Sequence, residues 1–304
     1  MSAKAYYSGS LPFDIESLPF RSEPEDVLMV RPDCYNIVDE KNVHMKGMGQ
    51  KLDRDLAQQQ WSTLLGTYES LQQSGLLRKV HVMDGAAGCE DMVFCANQSL
   101  PWVTASGDRV AVMSNMRHPS RQREVSFIQS FYEQQQYRCM HFSGYITFEG
   151  MGDVIPQPGR RLLFGGYGQR TAKGAYIELS EMLDTPVVAL QLVNPNFYHL
   201  DTCFLPISDT AVAICKEAFS TDGYKMIYKL FEEVYEIPEP EATGCFSLNA
   251  HLIHNVTEKV AILQKGSETT RALLSEKGFR LIELDTSEFM KSGGSVFCMK
   301  MMLY

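Results

Sequence analysis

Polar residues recur along this chain at a spacing close to 50 residues, each set in a small or apolar context. The segments are Cys95-Ala96-Asn97, Phe148-Glu149-Gly150, Tyr198-His199-Leu200, Leu248-Asn249-Ala250 and Val296-Phe297-Cys298. Successive intervals from Asn97 to Cys298 are 52, 50, 50 and 49 residues, and Asn42, 55 residues before Asn97, extends the series. Self-similarity at this period points to a repeat or propeller architecture. Short runs dense in Val, Ile, Leu and Phe predict buried strands at Val27–Val30, Lys79–Met83, Met92–Asn97, Arg109–Met113, Tyr145–Glu149, Pro186–Val193, Val260–Leu263 and Phe279–Leu284. A further apolar strand is expected over Ser295–Leu303.

Helical stripes lie between these runs. Leu52, Leu56, Leu64, Leu65, Tyr68 and Leu71 form one, stopped by Gly75. Others are expected after Pro119, over Ala175–Leu183, over Tyr224–Val234, from a Ser267 cap to Gly278, and from Thr286 or Ser287 to Gly293-Gly294. Strands alternating with helices make the fold α/β. Five helix-containing units then predict an α/β ring, as opposed to a pure β-propeller, whose strand ends converge on one axis. A ring of this kind is a single domain, expected over residues 27–304. The preceding residues, 1–26, are rich in Ser, Pro and Glu and are expected to lie on the surface as an extension.

Net charge narrows the partners. With 28 Lys and Arg against 37 Asp and Glu, the chain lacks the basic excess of a nucleic-acid binder. No apolar run approaches the roughly 18 residues of a membrane span. The first residues do not read as a secretory signal. Eight scattered cysteines without a CxxC pair are expected to be free thiols in a reducing, cytoplasmic compartment. A homo-oligomer is compatible with these features.

Several polar residues could carry chemistry. Cys298 follows a Gly-Gly turn and reads either as a thiolate nucleophile or as a buried structural thiol. His199 and Asp201 are two apart and would face one cavity in an extended chain, as an acid/base and a cation-binding carboxylate. His-x-Asp also occurs in metal hydrolases, but no second His/Asp cluster supports it, so no metal is expected. His118 reads as a turn residue. Glu149, between Phe148 and Gly150, is costly to bury without a partner such as His199. Arg117, Arg121 and Arg170 read as loop arginines able to clamp a carboxylate. The glycines of Phe164–Thr171 do not form a dinucleotide fingerprint, and Walker A, GxSxG and HExxH motifs are missing, so no cofactor is expected.

Five segments together resemble the guanidino-group-modifying enzymes, the pentein superfamily. They are Lys41-Asn42-Val43-His44-Met45, Phe94-Cys95-Ala96-Asn97, Phe148–Asp153, Tyr198–Phe204 and Gly293–Cys298. Within that superfamily they look most like the arginine dihydrolase branch, and the resemblance covers about residues 27–304. The sequence departs from that branch at Val43, His44, Cys95 and Gln98. The resemblance implies a five-fold α/β propeller. It implies Cys298 as nucleophile, His199 as general acid/base and Glu149 as the group that orients His199. Asp201 would pair with the guanidinium. Arg170, with Arg117 or Arg121, would clamp the amino-acid carboxylate. Asn42 and Asn97 would lie near the guanidinium, at a position where deiminases carry Asp in place of Asn97.

The implied function is hydrolysis of a small guanidino substrate through a covalent thiouronium. Its first form is an arginine dihydrolase, yielding ornithine, CO2 and two ammonia molecules. Dimethylarginine hydrolysis, arginine deimination and amidino transfer use the same residues. A non-catalytic binding protein on the same fold is the remaining alternative.

Overall fold

Each of the four stretches between Asn97 and Cys298 contains, in a computed structural model, strand, strand, helix and strand in that order. The structure describes residues 4–255 and 258–304; the first three residues of the expected extension lie outside them. In chain order the elements are β1 (Ala5–Tyr6), β2 (Asp26–Val30), α1 (Arg54–Gln73), β3 (Lys79–Met83), β4 (Ser99–Val103), β5 (Arg109–Met113), α2 (Pro119–Gln134) and β6 (Arg138–Met140). They continue as α3 (Gly150–Asp153), β7 (Val154–Pro156), β8 (Leu163–Tyr167), α4 (Ala175–Leu183), β9 (Val187–Gln191), β10 (Phe204–Pro206), β11 (Ala211–Ile214), α5 (Thr221–Leu230) and β12 (Glu233–Glu236). The last are α6 (Glu239–Gly244), β13 (His251–His254), β14 (Lys259–Gln264), α7 (Glu268–Glu276), β15 (Arg280–Leu284), α8 (Ser287–Met290) and β16 (Met301–Leu303).

These strands form five sheets among the described residues: β4-β5-β6, β1-β9-β8-β7, β10-β11-β12, β13-β14-β15 and β16-β2-β3. In each, an antiparallel pair (β4/β5, β7/β8, β10/β11, β13/β14, β16/β2) adjoins a parallel pair (β5/β6, β8/β9, β11/β12, β14/β15, β2/β3). A parallel pair needs a crossover connection. α2, α4, α5, α7 and α1 supply the five crossovers. The fold is therefore mixed α/β. The central strands read as unbroken apolar runs because both of their faces are covered; β11 and β14 are the clearest cases.

The chain divides into two compact units. The first holds Met1–Glu23, Asn97–Glu236 and Tyr304, and carries three of the sheets. Its core includes Trp102, Tyr132, Tyr176, Phe164 and Phe204. β1 adds a parallel strand to β9, so the expected extension contributes to a sheet. The second unit holds Pro24–Ala96 and Ile237–Leu303, with the sheets β13-β14-β15 and β16-β2-β3. The last strand, β16, thus pairs with β2. Helix α1 packs Trp61, Leu64, Tyr68 and Leu71 into this core, and each such side chain contributes about 1.5–3 kcal/mol of burial. Asp53 caps α1 by accepting from Leu56 N at 3.0 Å. Among the described residues no helix is long and apolar enough to cross a membrane.

Some expected elements differ. Over Met92–Asn97 the chain makes turns, with a 3-10 turn at Cys95–Gln98, and no strand. At Tyr145–Glu149 only Phe148 bridges, to Asn115. Ser295–Leu303 is a turn followed by the short β16, so Cys298 precedes the strand instead of lying within it. These stretches are apolar because they are buried, and burial alone does not select a strand. α5 ends at Leu230, and Val234 belongs to β12. Ser267 precedes α7, but its hydroxyl donates to Gln264 O at 2.8 Å instead of capping the helix.

Candidate active site

The residues that mark the period occupy equivalent places. Asn97, Glu149, His199, Asn249 and Cys298 each stand in the tight turn that precedes the first strand of a sheet: β4, β7, β10, β13 and β16. The first three belong to the first unit, the last two to the second.

In the first unit Glu149 is wholly buried and well provided with donors. His199 Nε2 lies 2.7 Å from its Oε2, and Arg170 Nη1 donates to the same oxygen at 3.1 Å. The other oxygen, Oε1, accepts from the backbone N–H of Arg117 at 3.0 Å. Burial alone would raise the Glu149 carboxyl, but Arg170, His199 and Arg121 more than offset it and hold it ionised. Burial, reinforced by Arg170 and Arg121 and opposed by Glu149, pushes His199 down to about 4. The pair at neutral pH is therefore carboxylate and neutral imidazole. An ionised carboxylate only accepts, so Nε2 carries the ring proton and Nδ1 carries the lone pair. Nδ1 has no hydrogen-bond partner among the described residues.

Asn97 Nδ2 likewise has no partner among the described residues. Its Oδ1 accepts from Arg121 Nη1 at 2.8 Å. Gly152 brings the two sites together: a Cβ built there would stand 2.4 Å from Asn97 Nδ2 and 3.0 Å from His199 Nδ1. Gly150 is similarly required, because its φ is +50° and a Cβ would meet Ser99 O at 2.3 Å. The Phe-Glu-Gly-x-Gly-Asp segment thus needs both glycines for close approach.

Other expected site residues fall as follows. Asp201 is buried, but it lies in a 3-10 turn, Leu200–Thr202, so the extended-chain argument that put it on the same side as His199 does not hold. Arg121 is not in a loop. It lies in the first turns of α2, buried, with its guanidinium 2.9 Å from Glu124. Arg170 is buried, and its guanidinium stands 4.8 Å from the centre of the Tyr198 ring. Arg117 is exposed, and His118 immediately precedes α2. In the second unit Asn42 caps the start of a 3-10 turn, with Oδ1 accepting from His44 N and Met45 N and Nδ2 donating to Ser292 O at 2.9 Å. Cys298 is buried there, its carbonyl accepting from Ala96 N at 3.2 Å. Among the described residues no group of three or more His, Cys, Asp or Glu side chains is placed to hold a metal ion.

Comparison with known proteins agrees with the motif pattern. The family model for N,N dimethylarginine dimethylhydrolase, eukaryotic, matches residues 36–304. The chain belongs to this family. Among curated relatives, the bifunctional arginine dihydrolase/ornithine cyclodeaminase AgrE of Nostoc sp. is 31% identical over 276 residues, covering 90% of this chain and 37% of the relative. The N(G),N(G)-dimethylarginine dimethylaminohydrolase of Mycobacterium tuberculosis is 33% identical over 248 residues, covering 81% and 76%. Among solved structures, the N-terminal domain of ArgZ, as an asparagine-to-serine variant covalently bound to a reaction intermediate, matches with a TM-score of 0.83. It is 29% identical, and the match covers 92% of this chain and 97% of that one. The chain spans only 37% of the length of the bifunctional relatives it matches.

Two polar residues of this family member had no role in the motif reading. Asp153 is buried and accepts from Thr171 N at 3.1 Å and Leu200 N at 3.2 Å, tying the Glu149 turn to the His199 turn. Burial, with Glu149 and Asp201 nearby, pushes its carboxyl well above the ordinary range. Asn249 is the other. Its signal was present in the period, where it is the fourth landmark.

Proposed function

We propose that this chain is a guanidino-group hydrolase with a cysteine nucleophile, and that it takes arginine through two hydrolyses to ornithine, CO2 and two ammonia molecules. The observation that carries the reading is the buried Glu149–His199 pair, with its basic nitrogen, Nδ1, available for proton transfer. In this scheme the Cys298 thiol gives its proton to His199, and the thiolate attacks the guanidinium carbon. The tetrahedral adduct expels ammonia, which takes the proton from His199. A thiouronium remains on Cys298. Water then attacks, its proton passing to His199, and the C–S bond breaks to release the ureido product and regenerate the thiol. With arginine that product is citrulline, and a second round on its ureido group yields ornithine.

Asp201 pairs with the guanidinium in this reading, and Arg170, with Arg117 or Arg121, holds the amino-acid carboxylate. Asn42 and Asn97 serve the neutral ureido group, which a neutral amide suits better than a fixed charge. The reading includes a five-fold α/β propeller over residues 27–304 with the active site on its axis. Five sheets of one connectivity, with one polar residue ahead of each, support that architecture. No cofactor or metal takes part.

A second reading, hydrolysis of dimethylarginine to citrulline and dimethylamine, is favoured by the family model that matches the chain. Product analysis separates the two. Arginine, dimethylarginine, citrulline and agmatine are supplied separately, with Cys298→Ala as control. Ornithine from arginine and from citrulline, abolished in the control, supports the first reading. Citrulline from dimethylarginine without ornithine replaces it with the second. Full turnover by Cys298→Ala would remove both.

A further inference from the structure

Four of the five residues that mark the period have a place in the proposed chemistry, and Asn249 does not. Its surroundings are nevertheless specific. Asn249 is fully buried, and its Nδ2 stands 3.2 Å from Cys298 Sγ. Its Oδ1 accepts from the backbone N–H of Ser295 at 3.0 Å and of Cys298 at 3.2 Å. Its own backbone carbonyl accepts from Phe297 N at 3.0 Å. The turn that carries the cysteine is thus wrapped around this one side chain.

These contacts settle which end of the amide faces the sulfur. Backbone N–H groups only donate, so the atom that meets two of them is the oxygen. The amino group is thereby directed at Sγ. An N–H donor aimed at sulfur stabilises the thiolate over the thiol, because the charged acceptor gains more from the bond. The donor is also fixed in advance, so no reorganisation accompanies loss of the thiol proton.

We propose that Asn249 is a further catalytic residue, which holds the Cys298 sulfur in place and stabilises its thiolate through the Nδ2–H···Sγ bond. The proposal deepens the hydrolase reading and rests on Cys298 as its nucleophile. The same bond orients sulfur while the lone pair that attacks stays on the side away from Nδ2. It weakens as the C–S bond forms and charge leaves sulfur, so its largest effect is on the availability of the nucleophile near neutral pH.

The test is the pH dependence of Cys298 alkylation by iodoacetamide, followed by mass spectrometry of the Cys298 peptide, in the full chain. Asn249→Asp is the first variant. It keeps the oxygen that meets the two backbone donors, so the turn is retained, but it replaces the donor facing sulfur with a second acceptor. Asn249→Ala removes both functions. The expected result is that the alkylation midpoint moves up by about one pH unit or more in both variants, and that the rate at pH 7 falls about tenfold. Turnover should recover as pH is raised. A midpoint equal to wild type in either variant overturns the proposal, even if activity is lost; Asn249→Ala is the deciding one, because it removes the donor without the carboxylate charge that by itself would raise the thiol in Asn249→Asp. The alkylation profile reads the Asn249–Cys298 bond whether or not arginine is a substrate. Failure of the hydrolase reading would show separately, as full turnover by Cys298→Ala.

Discussion

His199 Nε2 lies 2.7 Å from Glu149 Oε2, with both side chains withdrawn from solvent. That one bond fixes the ring proton on Nε2 and leaves Nδ1 as the base. Glu149→Gln tests it. A glutamine can donate to Nε2 and stabilise the opposite tautomer, and it leaves Arg170 without its anionic partner. The expected loss is about 10³-fold in kcat with a smaller change in KM. Circular dichroism confirms the fold of the variant. A kcat within tenfold of wild type contradicts the assigned tautomer.

Acid should destabilise the protein through the same pair. The His199 ring is pushed down to about 4 in the folded chain, against an ordinary value near 6.5 in the unfolded one. Between those values the unfolded state binds more protons, so stability is present above about pH 6.5 and is lost as pH falls toward 4. A difference of this size is worth up to about 3 kcal/mol. Glu149, held below its ordinary range, adds loss of the same sign under more acid conditions. His251, also buried and lowered, contributes alike. Urea unfolding at pH 7 and pH 5 should therefore show wild type losing more stability than His199→Gln. Equal losses in the two proteins would count against a neutral buried His199.

Gly152 leaves no room for a side chain, since a Cβ would stand 2.4 Å from Asn97 Nδ2 and 3.0 Å from His199 Nδ1. Gly152→Ala should lower kcat/KM at least 100-fold and cost about 1–3 kcal/mol of stability. Gly144→Ala is the control, because nothing lies within 4 Å of a Cβ there. Similar behaviour of the two variants in activity assays and thermal unfolding would show that the Gly152 contact is not needed.

Asn97→Asp addresses the product. Asn97 Oδ1 already accepts from Arg121 at 2.8 Å. A carboxylate would keep that bond as an ion pair and lose the Nδ2 donor. Citrulline is expected to accumulate at the expense of ornithine in timed product analysis. An unchanged ornithine-to-citrulline ratio removes the role assigned to Asn97 in the second hydrolysis.

Elements with a regular buried face were legible in the sequence: β5 and α4 occupy the expected residues, and so does β3, whose side chains are only partly buried. The 50-residue spacing anticipated five equivalent turns, because each sheet begins with the same geometric task. What misled was apolarity without regular pairing. Met92, Val93 and Phe94 are buried in turns, where hydrophobicity reports packing and not backbone form. Arg121 read as a loop residue although Pro119 opens a helix at that point. Its partner Glu124 lies one helical turn away, and an i,i+3 pair inside a buried face cannot be told from a surface one without the fold. Asn249 was visible as a landmark, but its role depends on the turn at Ser295 and Cys298, whose shape sequence spacing does not convey.

The most direct test of the account is to trap the covalent intermediate. Wild-type protein turning over arginine is quenched in acid within the first turnover, and the Cys298 peptide is measured by mass spectrometry. The account predicts a thiouronium adduct on Cys298 with the mass of arginine less ammonia, missing from Cys298→Ala and from protein quenched before substrate is added. Turnover with an unmodified Cys298 at every quench time, or an adduct on another of the eight cysteines, would contradict it.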